Sequence, residues 1–85
     1  MLLLIAMIVT LRYYGILTDL AGKISDVLKI SKGSNFSDLL HMLYKAYPGF
    51  QAYPVIFFQN AMHCNSETLI RDEAEIDCMP AFSGG

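Results

Sequence analysis

Gly84 and Gly85 close the 85-residue chain, directly after Pro80, Ala81, Phe82 and Ser83. Neither glycine has a β-carbon, so the pair fits a passage too narrow for any other residue and takes backbone angles that other residues avoid. The group they deliver is the α-carboxylate of Gly85. At neutral pH a carboxylate is a poor electrophile, because it is already negative and would have to expel oxide. ATP can convert it to an acyl-adenylate, after which a sulfur nucleophile gives a thiocarboxylate and an amine gives an amide. Chain ends often fray. This one follows a strand-like run, Glu75 to Met79, stopped by Pro80, so the tail is expected to leave a rigid edge and to stay flexible from Ala81 onward.

The other reactive side chains point to less. Cys78 shares strand parity with Ile76 and reads as a small core residue, whereas Cys64 lies on a short edge segment where either burial or exposure is possible. Two cysteines are too few for a disulfide-stapled scaffold, so reduced thiols in a cytoplasmic protein are expected. His41 and His63 have no second ligand at metal spacing and read as solvent-facing; no metal is expected. Glu73, Glu75 and Asp77 form an acidic stretch beside the tail that either steers a basic partner groove or is simply solvated. Phe82 is the best candidate for an exposed anchor, while Phe57 and Phe58 read as core.

Composition sets the frame for these groups. Eighty-five residues make one domain with a limited core, and a hydrophobic share of 54% is high enough that some apolar surface is expected to meet a partner. Six Lys and Arg, scattered singly in a chain of net charge −2, give no basic field for nucleic acid. The apolar run Met1 to Val9 is about half of the ~18–20 residues a membrane span needs, and no basic residue precedes it as in a signal peptide. A buried first strand explains it better, with Met7 an alternative start.

The elements that must position the tail follow in order. Val9, Leu11 and Tyr13 alternate with Ile8, Thr10, Arg12 and Tyr14, which predicts a first strand with one wetter face. Gly15 breaks it, Ile16 to Leu20 make a short helical turn, Ala21 to Lys23 reverse the chain, and Ile24 to Ile30 return antiparallel. Asn35 followed by Asp38 signals a helix start. Phe36, Leu39, Leu40, Leu43, Tyr44 and Tyr47 then give one apolar stripe, so the helix should run from Phe36 to about Tyr47 and pack on a sheet. Pro48-Gly49 stops it, and Phe50 to Tyr53 is read as a link. Val55 to Phe58, apolar on both faces, predicts a central strand. Met62 to Cys64 form a short edge strand, Asn65 to Asp72 a polar connection, and Glu75 to Pro80 the last strand. An order of strand, strand, helix, strand, short strand, strand commonly places the first and last strands side by side and parallel. That is the α+β layout called β-grasp, or ubiquitin-like: a mixed sheet of four to five strands, one main helix across one face, and here a protruding C-terminal tail. The expected division is a domain over residues 1–80 and a tail over 81–85.

In this layout the chain resembles the β-grasp sulfur carriers, most closely the small subunit of molybdopterin synthase. Met7 to Gly15 look like that family's first strand, Asp19 to Gly22 like its short helix and glycine turn, and Asn35 to Leu40 like its helix start. Ile56 to Asn60 look like its strand ending at Asn, and Asp72 to Gly85 like its acidic turn, last strand and Gly-Gly tail. The chain departs from the family pattern in having Asp72-Glu73-Ala74-Glu75 for Asp-Gly-Asp-Glu, Asn60-Ala61 for Asn-Gly and Pro80-Ala81 for Pro-Pro. Glu73 and Ala61 tolerate positive φ less well than Gly. The resemblance implies a non-catalytic carrier subunit of a sulfurtransferase complex. Gly85 would be adenylated by a ubiquitin-activating-type adenylyltransferase that uses ATP, then converted to a thiocarboxylate with sulfur from a persulfide enzyme. The tail residues Pro80, Ala81, Phe82, Ser83 and Gly84 would enter the large synthase subunit, which builds a dithiolene on a pterin precursor for molybdenum cofactor biosynthesis. No cofactor would be stably bound and no membrane engaged. A thiamine-pathway carrier, a ubiquitin-like modifier joined to lysines through Gly85, and a plain β-grasp binding module remain the alternatives.

Overall fold

The computed structural model describes residues 5 to 81. Its strands are β1 (Ala6–Tyr13), β2 (Ser25–Ser31), β3 (Val55–Gln59), β4 (Met62–Cys64) and β5 (Glu75–Pro80); its helices are α1 (Ile16–Ala21) and α2 (Phe36–Ala46). They form one mixed sheet in the order β2-β1-β5-β3-β4. β1 and β5 run parallel at its centre, Thr10 beside Glu75 through Tyr13 beside Cys78, and every other pairing is antiparallel. This is the expected β-grasp α+β architecture.

The alternation of β1 dictates which face carries the core. Met7, Val9, Leu11 and Tyr13 are buried, and Ala6, Ile8 and Arg12 are exposed. Against the buried face lies α2. Its start is fixed by reciprocal bonds at its first turn: Asp38 N–H donates to Asn35 Oδ1 at 2.9 Å and Asn35 N–H to Asp38 Oδ2 at 3.0 Å. Phe36, Leu39 and Leu43 are then fully buried, and Leu40, Tyr44 and Tyr47 pack on the rim. Each buried side chain of this size contributes about 1.5–3 kcal/mol relative to exposure.

Several expectations need correction. β2 covers Ser25–Ser31, one residue later than read, and α2 ends at Ala46. The supposed link after the helix is a 3-10 turn, Pro48–Ala52, which turns Phe50 inward until none of it is exposed, stacked on Tyr47 at 5.3 Å. Pro48 and Gly49 stop the α-helix but also permit this tighter turn. The connection after β4 is more than polar, since Ile70 and Ala74 both join the core. It also straps the helix start: Phe36 N–H donates to Thr68 O and Ser37 N–H to Ser66 O, satisfying donors no helical carbonyl can reach. Phe58 is only half-buried, on the face away from α2, where it meets the edge of His63 at 5.5 Å; Phe57 alone of that pair is core.

Among the described residues, three other than glycine hold left-handed φ: Asn60 (48°), Ala61 (70°) and Glu73 (59°). Asn60 and Ala61 form the two-residue turn between β3 and β4, where both central positions require positive φ. Among the described residues no helix is long and apolar enough to cross a membrane.

Candidate functional site

β5, whose last residue opens the tail read from the sequence, is the central strand and is hydrogen-bonded to a neighbour on each side. The tail residues read from sequence divide accordingly. Pro80 is the last residue of β5, half-buried and paired with Val55. Ala81, expected in the tail, is tied to the sheet, its N–H donating to Pro54 O at 2.8 Å. Phe82, Ser83, Gly84 and Gly85 lie outside the described residues.

Around this exit the open face of the sheet divides into two zones. One is charged: the Arg12 guanidinium bonds Glu75 and stands 3.4 Å from Asp77, whose Oδ1 also accepts from Tyr14 OH at 2.9 Å. The Glu75 hydrogen bond and charge raise the Arg12 pKa, and the bond to Asp77 raises that of Tyr14. Two of the three carboxylates in the acidic stretch are therefore matched by one cation on β1. The second zone is apolar. Ile56 beside Met79, with Phe58 one step along beside Asp77, puts three half-buried apolar side chains next to the strand that carries the tail.

The thiols offer no competing chemistry. Cys78 is fully buried at the sheet centre, where burial, then the Asp77 charge, push its pKa far above the usual thiol range. Cys64 is also buried, its Sγ–H directed at Met62 O at 3.3 Å. His41 on α2 and His63 on β4 are exposed, as read.

Two polar residues escaped the sequence reading. Asp26 Oδ2 accepts from both Tyr13 OH and Tyr47 OH at 2.6 Å, and its Oδ1 from Lys23 Nζ at 3.1 Å. Burial works against this carboxylate's charge, yet the three donors outweigh it and hold the pKa below the ordinary value. Gln59, 7% exposed, donates to Leu69 O at 3.1 Å and accepts from Arg71 N–H at 2.7 Å, fastening the connection to β3. The available signal was parity: both are polar residues sharing a strand face with apolar ones, Asp26 with Leu28 and Ile30 and Gln59 with Val55 and Phe57, where an unpaired polar group would be costly. Both fix the scaffold, and neither stands at the exit.

The comparisons with known proteins agree with this geometry. The ThiS family model matches residues 11–85, and the chain belongs to that family, the β-grasp sulfur carriers. No curated protein matches the chain in sequence. Among solved structures, a candidate molybdopterin converting factor subunit 1 from Pyrococcus furiosus superposes with a TM-score of 0.83 at 16% identity, over 89% of this chain and 99% of its own. SAMP1 from Haloferax volcanii gives 0.77 at 16%, over 92% and 99%. Small archaeal modifier protein 1 from Methanosarcina acetivorans gives 0.77 at 21%, over 95% and 99%.

Proposed function

We propose that this carrier serves molybdopterin synthesis as the small, non-catalytic subunit of the synthase, working in the cytoplasm. The observation that carries the reading is the placement of the tail root. A strand paired on both sides ends at Pro80, and four residues beyond Ala81 lies Gly85. In the proposed sequence the Gly85 carboxylate attacks the α-phosphorus of ATP on an activating adenylyltransferase, and pyrophosphate leaves. The terminal sulfur of a donor enzyme's persulfide then displaces AMP and forms an acyl C–S bond, and a thiol cleaves the persulfide's own S–S bond, becoming part of a disulfide with the donor sulfur and releasing the thiocarboxylate. Inside the large subunit this terminus donates its sulfur to the pterin precursor. The carrier supplies the acyl group and the docking face; acid, base and ATP site belong to the partners.

Membership in the ThiS family supports sulfur transfer, and the fold shared with the Pyrococcus protein is compatible with the molybdopterin branch. The fold shared with the archaeal modifiers favours one second reading, in which an amine replaces sulfur as nucleophile and Gly85 joins a lysine of another protein. Mass spectrometry of the protein isolated from its own cells separates the two. The carrier reading expects one terminal oxygen exchanged for sulfur, and loss of molybdopterin synthesis when Gly85 is deleted. A thiamine-pathway carrier would carry the same sulfur mark, but its deletion would stop thiamine synthesis instead. Gly85 found only in amide linkage would establish the modifier. An unmodified terminus together with full activity after the deletion would leave a plain binding module.

A further inference from the structure

We infer that the outer edge of β2 is a docking site for an extended, acidic segment of another protein, which adds to the five-stranded sheet as a further strand. The inference concerns the folded domain alone and is independent of the chemistry at Gly85.

The sheet order leaves two edges, β2 and β4. β4 has only three residues, whereas β2 pairs with β1 over seven consecutive rungs, from Arg12 beside Ser25 to Ala6 beside Ser31, with no bulge, proline or glycine to interrupt its outer side. Which of its groups face outward follows from the ladder. Tyr13 N–H donates to Ile24 O and Lys32 N–H to Ile5 O, both at 2.9 Å, so the even-numbered residues of β2 bond to β1 and the odd-numbered ones turn their amides away. Ser31 O is taken by Ser34, whose N–H and Oγ–H both donate to it. The N–H and C=O groups of Ser25, Val27 and Lys29 find no partner among the described residues.

The side chains along this edge select what can cover it. Val27 is 69% exposed beside Thr10, and on the same face Ile8 is 51% exposed beside Lys29, so apolar surface lies against the open amides. Three of the chain's four lysines, Lys23, Lys29 and Lys32, lie in or next to the strand. The one carboxylate there, Asp26, is held by Tyr13, Tyr47 and Lys23, and among the described residues Lys29 and Lys32 have no ion-pair partner. A second copy would set one lysine-bearing edge against another, and like charges oppose such pairing. An acidic strand meets the opposite condition. Laid antiparallel to β2, it puts one residue opposite Val27 and the residue two places earlier opposite Lys29, on the same face. The pattern that fits is a carboxylate, any residue, then an aliphatic residue, with further carboxylates ahead of it coming toward Lys32. Backbone bonds to Ser25, Val27 and Lys29 supply affinity, and the lysines supply selectivity.

The probe is a capped octapeptide, Thr-Asp-Thr-Glu-Thr-Val-Thr-Val, titrated into the full, isotopically labelled chain. The amides of Ser25, Val27 and Lys29 should shift and exchange more slowly with solvent, and binding should weaken at least about fivefold between about 0.05 M and about 0.5 M salt. Lys29→Glu should keep the parental melting temperature, weaken this peptide at least about tenfold, and bind instead a peptide with lysine in place of Asp and Glu. Val27→Pro removes an outward donor that the fold does not use and should abolish binding. If that variant unfolds, the charge swap at Lys29 still decides. No shift along β2 at millimolar peptide overturns the inference, as do shifts confined to Ile56, Phe58 and Met79, or a parent that binds the lysine peptide equally well. β2 amides that shift with protein concentration alone also overturn it, since the occupant would then be a second copy.

Discussion

The ring of Pro80 lies across Gly15, from opposite ends of the chain, closely enough that a β-carbon on Gly15 would meet its Cγ at 3.3 Å. Gly15 also adopts φ 57° with ψ −135°, a conformation closed to residues with a β-carbon. Gly15→Ala should therefore destabilise the fold by about 1–3 kcal/mol, read from urea unfolding. An unchanged midpoint would show that the turn relaxes freely.

The left-handed positions Ala61 and Glu73 offer the opposite change. Their φ values of 70° and 59° suit glycine, so Ala61→Gly and Glu73→Gly should each stabilise by about 0.5–1 kcal/mol. Both sites are exposed, which leaves packing untouched. The check is a pair of denaturant midpoints, and a fall in either refutes the strain assignment.

Acid stability should depend on Asp26. Its folded pKa lies below the ordinary value of 3.8, so its contribution is present above that pH and is lost as pH falls through the lower folded value. Tyr47→Phe removes one of its donors and should cost about 1–2 kcal/mol near neutrality. Unfolding followed from pH 6 down to pH 2 should show a steeper acid decline in the parent than in Asp26→Asn, which is less stable at neutral pH but has no carboxylate to titrate there. Parallel curves would assign the acid sensitivity elsewhere.

Both thiols should resist alkylation. Cys78 is fully buried with its pKa raised by that burial, and Cys64 is 8% exposed. Iodoacetamide should leave the native protein unmodified and label both sites once it is unfolded. Rapid native labelling of either would reopen a role for that cysteine in sulfur transfer.

How much of this was legible beforehand depended on whether the governing interaction was local. The parity of β1 and the Asn35–Asp38 start of α2 are written within a few residues of one another, and both stood where expected. The strand order followed from the succession of elements. Gln59 and Asp26 could not be placed this way, because each is decided by partners farther along the chain: Tyr13 and Tyr47 for Asp26, Leu69 and Arg71 for Gln59. The exit was half legible. Pro80 and the glycines are visible as a stop followed by a tail, but Pro54 matters only because β3 lies antiparallel to β5.

The parallel pairing of β1 with β5 also orders events during synthesis. β5 is the last of the five strands to leave the ribosome, yet it alone joins the β1–β2 ribbon to the β3–β4 hairpin. A nascent or truncated chain lacking it holds two separate ribbons with no shared sheet, and two-stranded ribbons are marginal in water. Only a chain with β5 in place can therefore close the two ribbons into one sheet, so the architecture is settled by its last strand and not by its first.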